Sequence, residues 1–256
     1  MREWIPYFLR KPLSILISFS ERFISNVVSA VLVTQDHQVA KFSKRTRLLR
    51  NAPYIPFRVK KEVESLRIGI NSEADVYRLV YAGGISKERG LFIMTEALYA
   101  LNAQGVPARL WLIGPELSPC LDEAKKLPGW EFVDYIGLQP HEVVFSYMSK
   151  ADVGLVVLED VGDHASARPS KLFEYMAWGL PFVASDFGCW KSFVGGKGGL
   201  WIQPGSATLL SDALRFLYYN TEERAVLSNE GKKFFSDFNW ERESEVLLEV
   251  YRSILS

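Results

Sequence analysis

The stretch of this sequence with most chemistry to offer is ARPSKLFEYMAWGLPFVASDFG, Ala167 to Gly188. Pro169 suits the first turn of a helix, where its missing N–H is not needed. Ser170 and Lys171 then fall in a turn whose backbone amides lack partners and whose dipole end is positive. Amides and an ammonium in that place can meet phosphate. Glu174 lies one turn after Lys171 on the same face, so its carboxylate could accept hydrogen bonds from the paired hydroxyls of a ribose. Lys171 and Glu174 also read as an i,i+3 surface ion pair, worth about 0.2–0.5 kcal/mol. Gly179 and Pro181 end the helix and lead into the next strand.

A second loop, GGISKERG from Gly83 to Gly90, joins a strand to a helix. Gly83 and Gly84 let the backbone approach a ligand closely, and Lys87 and Arg89 add mobile cations. Such a loop could hold a diphosphate, although glycine-rich strand-to-helix turns are often only structural.

These loops need a scaffold, and from Val76 onward the pattern supplies one. Short apolar runs at Arg78–Ala82, Arg109–Ile113, Glu131–Ile136, Val153–Leu158, Pro181–Ala184 and Leu200–Ile202 read as strands. Helix-length segments lie between them: Leu91–Ala103, Leu121–Leu127, His141–Met148, Pro169–Trp178 and Ala207–Tyr219. Strands apolar on both faces, each followed by a helix, predict an α/β fold with a doubly wound parallel sheet. Ligands bind such sheets outside the carboxyl ends of the strands. The loops facing that side are 83–90, 114–119, 137–140, 159–170 and 185–188.

Ahead of this domain the pattern is thinner. SAVLVT (Ser29–Thr34) has strand length, QDHQVAKFSKR reads as a helix, NAPYIP (Asn51–Pro56) as a linker, and Lys60–Asp75 as loop. The expected division is an incomplete N-terminal α/β portion over 1–56 and a Rossmann-like domain over 76–256, including the last helices.

Hydrophobic residues make up 48% of the 256, which supports a packed core and argues against disorder. Cys120 and Cys189 stand far apart without a CxxC partner, as in a reduced cytoplasmic protein. His37, His141 and His164 are scattered and no Asp-x-Asp occurs, so no metal is expected. Lys and Arg balance Asp and Glu at 30 each, yet residues 1–61 carry twelve basic against three acidic side chains. That +9 segment suggests an anionic surface as partner, and no nucleic acid is expected. Pro12–Val33 is too interrupted, by Glu21 and Arg22, to span a membrane. Trp4, Tyr7, Phe8, Leu13, Leu16 and Phe19 beside Arg10 and Lys11 fit peripheral contact at the inner membrane face, and fit core packing as well.

PSKLFEYMAWGLPFVAS closely resembles the P-x-K-x-x-E-Y-M-A-x-G-x-P-V-V-A-S donor-site stretch of the retaining glycosyltransferases called group 1 or family 4. RLVYAGGISKERG, LWLIGPE, YIGLQPHEVVFSYMSKADVGLVV and FNWERESEVLLEVYRSIL resemble further segments of that family, in order. The resemblance covers about 76–256, and weakly 20–56. It implies the GT-B fold of two Rossmann-like domains, with a nucleotide-sugar held by the second and no separate cofactor. Glu174 would then hold the ribose, with Ser170, Lys171 and Leu172 at the diphosphate or ribose. Arg89 matches the family's phosphate-binding lysine. Lys171, Arg89, Lys87 and the amides near Ser170 would stabilise charge on the departing nucleoside diphosphate. An acceptor hydroxyl would attack with retention, in glycan or polysaccharide biosynthesis.

Two positions depart from the family pattern. Gly84 stands where many members carry an arginine, and Ser166 where many carry a glutamate. His164, in the loop 159–170, could reach a donor sugar or stand merely exposed; His141 falls in a helix first turn with no chemistry assigned, and Asp152 reads as a cap or packing residue. The first GT-B domain, which in the family carries the acceptor site, would be present only in part, so the chain reads as a fragment, a truncated reading frame, or one half of a split enzyme with a second chain as the partner that supplies it. Other readings of the same residues are a non-catalytic nucleotide-sugar-binding module or truncated remnant, and a GT-B nucleotide-sugar epimerase.

Overall fold

A computed structural model of the chain describes residues 6–42, 45–70, 73, 75–167 and 169–255. It divides into two compact units, 1–54 with 238–256, and 55–237.

The larger unit opens with α3 (Phe57–Gly69) and then alternates: β3 (Tyr77–Ala82), α4 (Leu91–Ala103), β4 (Ala108–Ile113), α5 (Leu121–Ala124), a 3₁₀ turn (Pro128–Phe132), β5 (Val133–Gly137), α6 (His141–Met148), β6 (Val153–Val156), α7 (Ser170–Trp178), β7 (Phe182–Ser185), α8 (Gly188–Phe193), β8 (Gly199–Ile202), α9 (Ala207–Tyr219) and α10 (Thr221–Asp237). The six strands pair in parallel in the order β5-β4-β3-β6-β7-β8. This is the doubly wound sheet that the apolar runs predict. Every residue of β3, β6 and β7 is buried, because helices cover both faces. Leu79, Leu98, Leu101, Leu110, Leu112 and Leu155 belong to the core between sheet and helices.

The winding reverses between β3 and β6, and that junction is thin. Only Leu79↔Val153 and Val80↔Gly154 are in register there, whereas β3 and β4 pair over six positions. Tyr175, on α7 and fully buried, donates its hydroxyl toward the carbonyls of Val80 (3.2 Å) and Leu155 (3.3 Å), one on each side of the junction. Gly154 makes room for it, since a Cβ there would lie 2.6 Å from the tyrosine ring.

Several boundaries differ from the expectation. Residues 57–69 form α3, whereas 60–75 were expected as loop. Val59, Val63, Leu66 and Ile70 carry a helical period, but only Val63 is fully buried, so the polar majority hides it. Phe132 falls in the 3₁₀ turn rather than in the strand, and Pro169 precedes the first helical residue as the N-cap. The short helix α8 is additional.

The smaller unit holds α1 (Tyr7–Val27), β1 (Val31–Val33), α2 (Asp36–Val39), β2 (Thr46–Leu48) and α11 (Trp240–Leu255), with β1 and β2 parallel. The helix expected over 35–45 is cut to four residues, and the chain turns into a strand that satisfies β1 instead. The C-terminal helix, expected with the donor domain, belongs to this unit. Its Glu243 is buried and accepts the Arg50 backbone N–H at 2.7 Å, and Trp240 donates its N–H to the Pro53 carbonyl. No helix among the described residues is long and apolar enough to cross a membrane. Trp4 lies outside the described residues.

Candidate functional site

Three consecutive strands of the larger unit end in glycine-bearing turns packed on one another. Gly83 donates its N–H to the Ile113 carbonyl, Gly114 donates to Gly137, and the Ile85 amide bonds the Pro115 carbonyl. Glycine is required at 114: φ is +141°, and a Cβ would lie 2.0 Å from the Gly83 carbonyl oxygen. Above these turns opens a cleft of about 210 Å³. Its floor is Ala82, Gly83, Ile113 and Gly114. One wall is Leu138, Gln139 and the α6 residues His141, Val144 and Phe145. The other is the first turn of α7, Ser170, Lys171 and Glu174. The site therefore sits at the carboxyl ends of the strands, where the loops 83–90, 114–119, 137–140 and 159–170 were expected to meet. Loop 185–188 contributes nothing to its lining.

Lys171 crosses the cleft to the opposite turn. A Cβ on Gly83 would lie 2.3 Å from its Nζ, so only glycine admits the ammonium there. Nζ also stands 5.2 Å from the centroid of the Tyr81 ring, a cation–π contact. Burial, and then the neighbouring Arg89 guanidinium, push the Lys171 pKa down to about 8, against an opposing pull from Glu174. Among the described residues neither Lys171 nor Glu174 forms a side-chain hydrogen bond or an ion pair of 4 Å or less. The surface-pair alternative is therefore not the one adopted. An ammonium close to a second cation, with no carboxylate within 4 Å, sits in a field that favours an anion.

Arg89 is half-buried and approaches the Tyr81 phenol, whose pKa burial pushes up to about 12 despite that cation. Tyr81 in turn donates its hydroxyl to the Gly84 carbonyl at 2.7 Å, fixing the loop. Ser170 is exposed at the start of α7, where the first-turn amides lack helical partners.

The remaining expected residues fall elsewhere. Leu172 is buried, its N–H bonds the Pro169 carbonyl, and its side chain is not part of the cleft lining. Lys87 is exposed and absent from the cleft lining. Gly84 is overlain by Leu117: a Cβ there would lie 2.4 Å from the Leu117 side chain, so an arginine would require that side chain to shift. Ser166 turns its hydroxyl to the Asp163 carbonyl. His164 bonds the Glu159 carbonyl through Nδ1, and its own carbonyl accepts the Trp190 indole N–H, so it orders the loop. Asp152 accepts from the Arg78 amide and from Arg224, as a cap and packing residue. No cluster of metal-ligating side chains occurs among the described residues.

The α6 wall carries residues whose types do not single them out in the sequence. His141, in the first turn of α6, lines the cleft beside Phe145, ring centroids 5.9 Å apart. The available signal was the position of Leu138 and Gln139 just after a strand end, not their residue types.

The family model described as glycosyl transferases group 1 matches residues 63–234. The chain belongs to that family. As a group 1 glycosyl transferase it is 22% identical over 244 residues to a D-inositol 3-phosphate glycosyltransferase of Corynebacterium urealyticum, covering 91% of this chain and 53% of that protein. It spans about half the length of this curated relative. Among solved structures it is similar to sucrose-phosphate synthase from Thermosynechococcus elongatus, at TM-score 0.70 and 23% identity over 93% of this chain and 61% of that one. It is also similar to the Anabaena protein HepE in complex with UDP, at TM-score 0.69 and 17% identity over 88% and 64%. These likenesses show a Rossmann-like α/β fold as found in GT-B glycosyltransferases.

Proposed function

We propose that the cleft of residues 55–237 binds a nucleoside-diphosphate sugar and presents it for glycosyl transfer with retention, as in family 4. One observation carries this reading. An ammonium held without a counter-ion against Gly83 and a partnerless carboxylate one turn later open onto the same cavity. Solved structures of HepE with UDP and with UDP-glucose support it. The diphosphate lies at Lys171, Arg89 and the Ser170 amide, the ribose at Glu174, and the base along Leu138, His141 and Phe145.

In the reaction the bond from the anomeric carbon to the β-phosphate oxygen breaks, and the acceptor oxygen bonds that carbon on the same face. The acceptor's proton passes to the departing phosphate. Lys171 and Arg89 stabilise the charge gathering on the leaving group, an effect worth about 3–4 kcal/mol for a preorganised donor. No metal or other cofactor is assigned a part. Acceptor recognition is assigned to residues outside the cleft, a second chain among the candidates, and the activity to glycan assembly in the cytoplasm.

Calorimetric titration with UDP and GDP tests the site. Lys171→Ala and Glu174→Ala are each expected to weaken binding at least tenfold, and unchanged binding in both variants overturns the assignment. Leu117 over Gly84 and a serine rather than an acid at 166 favour a second reading, a donor-binding module without turnover. Donor binding with no hydrolysis or transfer of UDP-glucose under any acceptor would establish that alternative.

A further inference from the structure

Lys171 and Arg89 carry like charge, and Arg89 stands close enough to depress the Lys171 pKa. Among the described residues neither has an ion-pair partner. What both cations meet is a neutral side chain. Tyr81, in β3, is fully buried. The Lys171 ammonium lies over its ring, 5.2 Å from the centroid, and the Arg89 guanidinium bonds its hydroxyl. A carboxylate in that place would draw both cations in and cancel the charge that an anionic ligand needs. A phenol draws both without adding charge, because its ring face is electron-rich and its oxygen carries lone pairs. Burial pushes the phenol pKa up to about 12, so it stays neutral at physiological pH.

The direction of the hydrogen bonds is fixed as well. The Tyr81 hydroxyl donates to the Gly84 carbonyl at 2.7 Å. Its one proton is spent there, so toward Arg89 the oxygen accepts, and a guanidinium can only donate. The residue is closed to solvent, so water does not take the place of the guanidinium at that oxygen. Neither Tyr81 nor Arg89 belongs to the cleft lining, whereas Gly83 and Lys171 do. Tyr81 therefore works through its neighbours, from behind the lining.

We propose that Tyr81 is a positioning residue of the phosphate site: its hydroxyl sets the place of the Arg89 guanidinium and its ring that of the Lys171 ammonium, so that both charges bear on one anion. The inference rests on the nucleotide-sugar reading of the cleft. Calorimetry compares the natural protein with Tyr81→Phe, Arg89→Ala and the double variant, using the tighter-binding of UDP and GDP and its monophosphate. Phenylalanine keeps the ring beside Lys171 and removes only the oxygen. Tyr81→Phe and Arg89→Ala should each weaken the diphosphate about tenfold, the worth of one hydrogen bond to a charged group. The monophosphate should lose less than about threefold, and the double variant should fall within about twofold of Arg89→Ala, because the two side chains act as one unit. Equal losses with both nucleotides, losses that multiply in the double variant, or a Tyr81→Phe chain without the native circular dichroism would show a tyrosine that merely supports the fold, and overturn the inference. If Lys171→Ala weakens the diphosphate while Tyr81→Phe does not, this inference alone is overturned. If the natural protein binds neither nucleotide, it falls together with the donor reading.

Discussion

The depressed pKa of Lys171 makes donor binding depend on pH in a calculable way. In the empty cleft burial and Arg89 hold this lysine at about 8. A diphosphate beside Nζ favours the ammonium, so the bound pKa returns toward the ordinary lysine value of about 10.4. Affinity is then full below pH 8 and falls as pH rises above it, because the empty protein must first take up a proton. Between pH 7 and pH 9 the linkage amounts to about a tenfold loss, with about 0.9 proton taken up per UDP bound at pH 9. Calorimetry in two buffers of different ionisation enthalpy measures both quantities. Lys171→Arg, charged throughout this range, should flatten the profile. A constant affinity from pH 7 to 9 in the natural protein, or an equal slope in the arginine variant, refutes the reasoning. The folded-state pKa lies below the unfolded one, so the buried charge burdens the empty fold fully below pH 8. That burden eases as pH climbs toward 10.5. Lys171→Met should accordingly raise the urea midpoint at pH 7 while it removes UDP binding.

Other consequences are open to direct measurement. Glu174→Gln removes the charge from the proposed ribose contact and should cost about 1–2 kcal/mol of UDP affinity. The natural protein should also prefer UDP to its 2′-deoxy analogue, and the variant should not. Gly114→Ala places a Cβ 2.0 Å from a carbonyl oxygen at φ +141°, and is expected to lower the melting temperature and erase donor binding together. Tyr175→Phe leaves the Val80 and Leu155 carbonyls without their hydroxyl donor and should cost about 1–3 kcal/mol in urea unfolding.

Much of the larger unit was legible because its signals are local. Strands buried on both faces are apolar at every position, and β3, β6 and β7 announce themselves that way. The Ser170–Lys171–Glu174 spacing survives into the cleft because one helix carries it. What stayed hidden depends on contacts remote in sequence. Lys171 enters the cleft because it reaches toward Gly83, 88 positions earlier, and Leu172 beside it is core because the helix turns by about 100° per residue. Helix α3 shows one fully buried apolar residue and reads as loop. Wall residues such as His141 and Gln139 carry no distinctive type, so only the folded sheet shows what they face.

The junction between β3 and β6 has a consequence for how the molecule responds to its ligand. The sheet's two flanks, β5-β4-β3 and β6-β7-β8, are joined there by two registered pairs, the Tyr175 phenol and the hydrogen bonds between Arg78 and Asp152. The cleft straddles the same line, with its floor on one flank and α7, which follows β6, on the other. An occupant touching both acts as a second rivet across a natural crack. On its departure the amides of Leu79 to Ala82 and Val153 to Val156 should exchange with solvent faster than in the occupied protein, as though the ligand had been part of the sheet.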